Sequence, residues 1–221
     1  MDSAALAPRA VHFDEPTDDA DLLTATVGRT RFLVVPERRW FMIDGHGAPG
    51  GTSFQAAFGA LYPVAYTLHF VLMRRGVSVK VGALAGLYWF GDAAGPIVPG
   101  EFGDHDASAW NWRLLLPVPE VATPDEIQSA FAEVARKKAL EALHLLRVER
   151  WAEGPAAQTL HVGPYATETA TIVVLHDALA KAGLRPRGCH HEIYLSDPNR
   201  TAPERLKTII RQPVEPATLG S

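Results

Sequence analysis

The order of elements in this chain repeats, and the repeat limits the folds open to it. Strand patterning over Phe32 to Ile43, with Pro36 at an edge or a strand start, leads into a loop from Asp44 to Gly51. A helix follows, capped by Thr52 or Ser53, in which Phe54, Phe58, Leu61, Ala65, Leu68 and Leu72 recur at core-facing spacing. Pro63 predicts a kink or a break in it. Val77 to Phe90, with a turn or bulge near Gly82, and Trp110 to Val118 read as strands on either side of a Gly/Pro/Asp-rich loop. The last third repeats this order. Ala157 to Val162 is strand-like, Gly163-Pro164-Tyr165 opens a helix that Gly183 ends, and strands are expected at His190 to Leu195 and Leu206 to Val214.

Between the halves, Thr123-Pro124-Asp125-Glu126 combines an N-cap threonine, a proline at the first helical position and a glutamate three residues after the cap. That capping box predicts a helix to about Leu140, followed by a strand over Leu145 to Trp151. The fold class expected is α+β: two pseudo-symmetric strand–helix–strand–strand repeats forming an antiparallel sheet with helices and a central ligand cleft. By domains, residues 1–30 are an N-terminal extension, 31–215 the binding domain and 216–221 a tail. The repeat also sets Leu84 to Trp89 in the place of His191 to Leu195, with Ala85 where the second half carries Glu192.

Composition narrows the function. A net charge of −4 and scattered basic residues argue against direct nucleic-acid binding, which needs a dense Lys/Arg face. The single Cys189 excludes an internal disulfide framework and a cysteine-based zinc site. No apolar run approaches ~20 residues, so no membrane span is expected. The N-terminus lacks a signal-peptide pattern, which makes the cytoplasm the expected location.

The stretch from His190 to Pro198 carries the chemistry. Alternation along a strand puts His190, Glu192 and Tyr194 on one face and His191, Ile193 and Leu195 on the other. A mid-strand carboxylate among aromatics is costly unless a cation, a hydrogen-bond network or a catalytic role compensates it. Adjacent histidines on opposite faces cannot both join Glu192 around a metal. His190 is therefore read as the partner that orients Glu192, and no metal or cofactor is expected. Tyr62 and Tyr66, four apart on one helix, line the cleft or finish the core with their hydroxyls at its edge. Trp89, Trp110 and Trp112 offer faces for stacking on flat or cationic ligands, or belong to the core. His161, ahead of Gly163-Pro164, is read as a turn-stabilising hydrogen bonder.

The segments Leu61-Tyr62-Pro63-Val64-Ala65-Tyr66, Leu84-Ala85-Gly86-Leu87-Tyr88-Trp89 and Trp110-Asn111-Trp112-Arg113 resemble the GyrI-like small-molecule-binding family. So do Gln158 to Tyr165 and His190 to Arg211. The same fold forms the effector-binding domain of multidrug-sensing regulators, and the likeness is to stand-alone members. The resemblance implies an aromatic cleft with an acid that meets bulky, often cationic, aromatic compounds, and Glu192 matches that acid. Some stand-alone members resemble hydrolases that open the cyclopropane ring of DNA-alkylating natural products. The chain departs from the pattern at Ala85, where many relatives carry Glu, and at Tyr88, where they carry Trp. The implied partner is a hydrophobic aromatic or cationic small molecule, bound at Glu192, Tyr62, Tyr66, Trp89, Trp110, Trp112, His190 and Tyr194. Two functions follow from the resemblance. One is sequestration of the compound. The other is hydrolysis, with Glu192 activating water and Tyr62 or Tyr66 steadying the developing phenolate. A sensor partner of a transcription regulator is a third.

Overall fold

The capping box at Thr123 is present. The Thr123 hydroxyl accepts from the Glu126 amide at 3.3 Å, and the Glu126 carboxylate accepts from the Thr123 amide at 2.8 Å. It opens the central helix of a computed structural model that describes residues 11–103 and 106–217. The first ten residues of the expected extension and residues 218–221 of the expected tail lie outside the described residues. The elements run α1 (Asp19–Leu22), β1 (Arg31–His46), α2 (Thr52–Arg74), β2 (Ala85–Phe90), β3 (Trp110–Pro117), α3 (Pro124–Lys137) and β4 (Arg147–Val162). Then come α4 (Glu168–Lys181), β5 (Leu184–Pro186), β6 (His190–Tyr194) and β7 (Lys207–Pro216).

The strands pair antiparallel in the order β4-β1-β3-β2-β6-β7, and β7 returns to β4, so six strands close into a barrel. The short β5 adds to the end of β7. The fold is α+β, and the repeat is visible in it. The triplet β1–β3–β2 corresponds to β4–β7–β6, and the halves join through β1–β4 and β2–β6.

Each strand has an inner and an outer side. Met42, Ala85, Leu115, Leu160, Ile193 and Ile209 come one from each of the six strands and meet in one cluster, which is the barrel interior. On the outside, Phe41, Ile43, Leu114 and Leu116 pack against Leu61, Leu68 and Leu72 of α2. Ala157, Ile210 and Val214 pack against Ile172, Leu175 and Leu179 of α4. Each large aliphatic side chain fully buried this way contributes roughly 1.5–3 kcal/mol. Trp112 also lies under α2, 5.1 Å from the Phe54 ring, and a Cβ on Gly45 would fall 2.1 Å from its indole. Glycine at position 45 is what lets that tryptophan lie flat on β1.

Several local expectations are corrected. Gly51, not Thr52 or Ser53, is the N-cap of α2, and it makes no side-chain cap bond. Pro63 does not break α2, which runs through it as one helix held by the core face on either side. Phe58 is 37% exposed rather than core. Only Ala85–Phe90 of the expected 77–90 strand is paired, and α3 ends at Lys137. The strands expected at Leu145–Trp151 and Ala157–Val162 are one strand, β4. Gly154 takes a positive φ of 72° and carries the chain through what reads as a terminating Gly-Pro. By length and composition α2 also passes the test for a membrane span, but its apolar side packs into the core described above.

Residues 11–30, ahead of β1, lie against the barrel. Leu22 packs on Leu33, Val35 and Ala156, and its carbonyl accepts from Arg211 at 2.8 Å. Arg31 ties the segment down through Asp14 at 2.8 Å and Asp21 at 2.9 Å.

Candidate functional site

The helices leave one part of the outer barrel wall uncovered. α2 lies over β1 and β3, and α4 lies over β4 and β7. The strands between them, β2 and β6, form the floor of a cleft. The register pairs Gly86 with Glu192 and Tyr88 with His190, so Gly86, Tyr88, His190, Glu192 and Tyr194 share the floor. Ala85 pairs with Ile193 and faces the interior. The position opposite Glu192 is therefore Gly86, a correction of one residue to the sequence reading. A Cβ on Gly86 would lie 2.6 Å from the Tyr88 hydroxyl, so the missing side chain is what lets Tyr88 fold back toward Tyr194.

Glu192 sits at the centre of a directed network. His190 Nε2 lies 3.2 Å from Oε1, and the Tyr194 hydroxyl donates to Oε2 at 2.7 Å. Because Tyr194 spends its proton on the carboxylate, Tyr88 must be the donor in the 2.5 Å contact between the two hydroxyls. The carboxylate acceptor likewise requires a proton on His190 Nε2, and among the described residues the buried Nδ1 has no partner. Burial, then the Glu192 charge, pushes both tyrosine hydroxyls well above their ordinary value, so they stay neutral donors.

A second acid completes the site. Glu168, the first residue of α4, is only 5% exposed and comes against Glu192 and Thr208. Burial, reinforced by the negative charge of Glu192, pushes Glu168 up to about 9. Burial acts on Glu192 in the same direction, but the hydrogen bond and charge of His190, with the hydrogen bond from Tyr194, outweigh it and hold Glu192 below its ordinary value. At neutral pH the pair thus carries one proton, on Glu168. Among the described residues, Glu168 Oε1 and the Thr208 hydroxyl are buried with no hydrogen-bond partner, so this corner is not fully satisfied. The sequence reading named Glu192 as the acid of the cleft and missed Glu168. Its available signal was an acid three residues beyond Gly163-Pro164-Tyr165, at the start of a helix in the repeat that carries Glu192.

Aromatic rings wall the floor. The Tyr165 ring meets Tyr194 edge-on at 5.7 Å, Trp110 meets Tyr88 at 5.9 Å, and Phe102 meets His190 at 4.8 Å. Phe102 belongs to the 3₁₀ turn Pro99–Gly103, so the long loop after β2 reaches over the floor to α4. Tyr62 is half-buried, and after burial and Tyr66 the Asp197 charge helps raise its hydroxyl. Tyr66 stacks on Tyr62 at 6.1 Å and is 49% exposed. Trp112 is 1% exposed in the α2 core, and Trp89 lies with the interior cluster on the face away from Glu192. His161 bonds Thr171 at 2.9 Å and approaches the Pro164 carbonyl at 3.3 Å, which fixes the turn into α4.

His191 points into the barrel. Its Nδ1 is 2.8 Å from Glu153, which also accepts from Arg211 at 3.1 Å. Burial would raise the Glu153 carboxyl, but the His191 and Arg211 charges outweigh it and hold it at about 2. Among the described residues no group of three His, Cys, Asp or Glu is placed to hold a metal ion.

Comparison with known proteins agrees with this architecture. Residues 117–215 match the model of the GyrI-like small-molecule-binding domain. An uncharacterized conserved protein from Listeria innocua is 32% identical, with a TM-score of 0.78 over 91% of this chain and 100% of that one. A hydrolase from Listeria innocua is 31% identical, with a TM-score of 0.74 over 91% of this chain and 100% of that one. The EcmrR C-terminal domain shares the fold at 12% identity, with a TM-score of 0.51 over 85% of this chain and 98% of that one. No curated protein matches the chain. The chain belongs to the GyrI-like small-molecule-binding family.

Proposed function

We propose that this protein binds a bulky aromatic, electrophilic small molecule over the β2–β6 floor and hydrolyses it. The observation that carries the proposal is the carboxyl pair: one ionised acid, Glu192, beside one neutral acid, Glu168. A general base and a general acid side by side are what addition of water to an electrophile requires. The hydrolase relative from Listeria innocua, matched over its whole length, supports the same reading.

For a cyclopropane conjugated to a carbonyl, the class the resemblance implies, the ring opens by addition of water. Water forms a bond to a ring carbon as Glu192 takes its proton. The strained carbon–carbon bond breaks, and its electron pair moves through the conjugated system to the carbonyl oxygen. That oxygen takes a proton from Glu168 and becomes a phenol. The pair begins and ends with one proton, which passes back from Glu192 to Glu168. Tyr194 and His190 hold the Glu192 carboxylate in place, while Tyr62, Tyr66, Tyr165 and Trp110 supply ring surface for the ligand.

The test is incubation with a cyclopropane-bearing alkylating compound in ¹⁸O-water, read by mass spectrometry. The expected product is ring-opened and carries one ¹⁸O, and Glu192→Gln loses ~10²–10⁴-fold in rate while still binding. Binding without any product from the wild type overturns hydrolysis. That outcome returns the second reading, sequestration of cationic aromatic compounds. One observation favours it: among the described residues, none of the groups bonded to Glu192 is a lysine or arginine, so no permanently charged side chain occupies the place a cationic ligand would take.

A further inference from the structure

A small cavity of about 70 Å³ lies on the inner side of the barrel wall, beside α1 and across β2 and β6 from the Glu192 floor. Arg38, Arg211, Asp19 and Trp40 line it together with apolar side chains such as Val35 and Ile193. We propose that it is a binding site for a small monovalent anion, a short carboxylate or a halide, closed off by the N-terminal segment. No step of the proposed hydrolysis uses it.

The donor set makes the argument. Trp40 is 7% exposed, and its indole N–H is buried with no partner among the described residues. An indole nitrogen only donates, so the occupant that satisfies it must be an acceptor. Arg211 is 2% exposed and gives one hydrogen bond each to Gln158, Glu153 and the Leu22 carbonyl. A guanidinium has five N–H groups, so two donors remain on Arg211. Arg38 lies over the Trp40 ring at 5.5 Å and pairs with Asp19 at 2.5 Å. Two guanidinium groups and an unsatisfied N–H thus surround a space that holds a few heavy atoms. A buried donor without an acceptor costs free energy that such an anion would recover.

The charges already present set the affinity. Glu153 balances Arg211, and Asp19 balances Arg38 from a side chain that is 75% exposed. An incoming anion therefore competes with Asp19 for Arg38. Since Asp19 is the first residue of α1, occupancy of the cavity and the hold of the N-terminal segment on the barrel are linked.

The experiment is a titration of the wild-type protein with acetate, formate and chloride, followed by the indole N–H resonances in ¹⁵N-correlated NMR. Trp40→Phe identifies the Trp40 signal by its loss. At least one of these anions should shift that signal along a saturable curve, while benzenesulfonate at equal ionic strength, too large for the cavity, should not. Asp19→Asn, a change at an exposed side chain, should tighten binding by ~3–10-fold by removing the competitor, and Arg38→Gln should weaken it by at least ~10-fold. The proposal is overturned by a linear, unsaturated shift, by an equal response to benzenesulfonate, or by an Asp19→Asn affinity equal to or weaker than wild type.

Discussion

His190 and His191 are neighbours in one short strand, and each meets a glutamate, yet the two faces of β6 have opposite electrostatic designs. On the inner face Glu153 receives His191 and Arg211, and all three side chains are withdrawn from solvent. Attraction there is matched to burial, and the carboxyl stays at about 2. On the outer face Glu192 keeps 15% of its side-chain surface and meets a histidine, a tyrosine and a second acid, Glu168. The difference separates architecture from chemistry. A buried charge met by opposite charge fixes a fold. One left beside a like group holds a proton in a shifted state, which is what acid–base work needs.

The two glutamates should answer substitution in opposite ways. Glu192→Gln should lower turnover by ~10²–10⁴-fold while thermal unfolding shows the fold retained. Glu153→Gln should do the reverse. It leaves Arg211 buried without its counter-charge, at a cost of ~3–5 kcal/mol in urea unfolding, with activity per folded molecule kept. If Glu153→Gln unfolds like the wild type, the inner triad is not structural and the contrast fails.

A subtler effect is expected from Glu168. Its folded value, raised from 4.5 to about 9, stabilises the fold fully below 4.5, and that contribution is lost as pH rises through about 9. Glu168→Gln cannot ionise, so its stability profile should be flatter than wild type over that window, checked by denaturant unfolding at a series of pH values. The smallest effect is at the floor itself. Gly86→Ala pushes the Tyr88 ring away from Tyr194 and should cost ~1–3 kcal/mol, with a loss of activity that Glu153→Gln does not show.

Local chemistry was legible in the sequence, and long-range register was not. The capping box at Thr123 and the opposite facing of His190 and His191 depend on neighbours within a few residues, and both appear as read. The partner of Glu192 depends on how β2 slides against β6. A shift of one residue exchanges Ala85 for Gly86 and turns a cleft position into an interior one. Glu168 looked like an ordinary acid at a helix start, because only the packing of α4 on β7 brings it to Glu192. Trp112 shows the same limit: its sequence left stacking face and core both open, and only the packing of α2 over β3 places it in the core.

The proposed chemistry needs one proton shared unequally between two carboxyls. Carbon-13 NMR of glutamate side-chain carboxyls across a pH titration reads that directly. Glu168 should titrate near 9, Glu192 should titrate below 4.5, and Glu192→Gln should bring Glu168 down from about 9. Two independent titrations near 4.5, unchanged when either partner is replaced, would contradict the pair and the mechanism built on it.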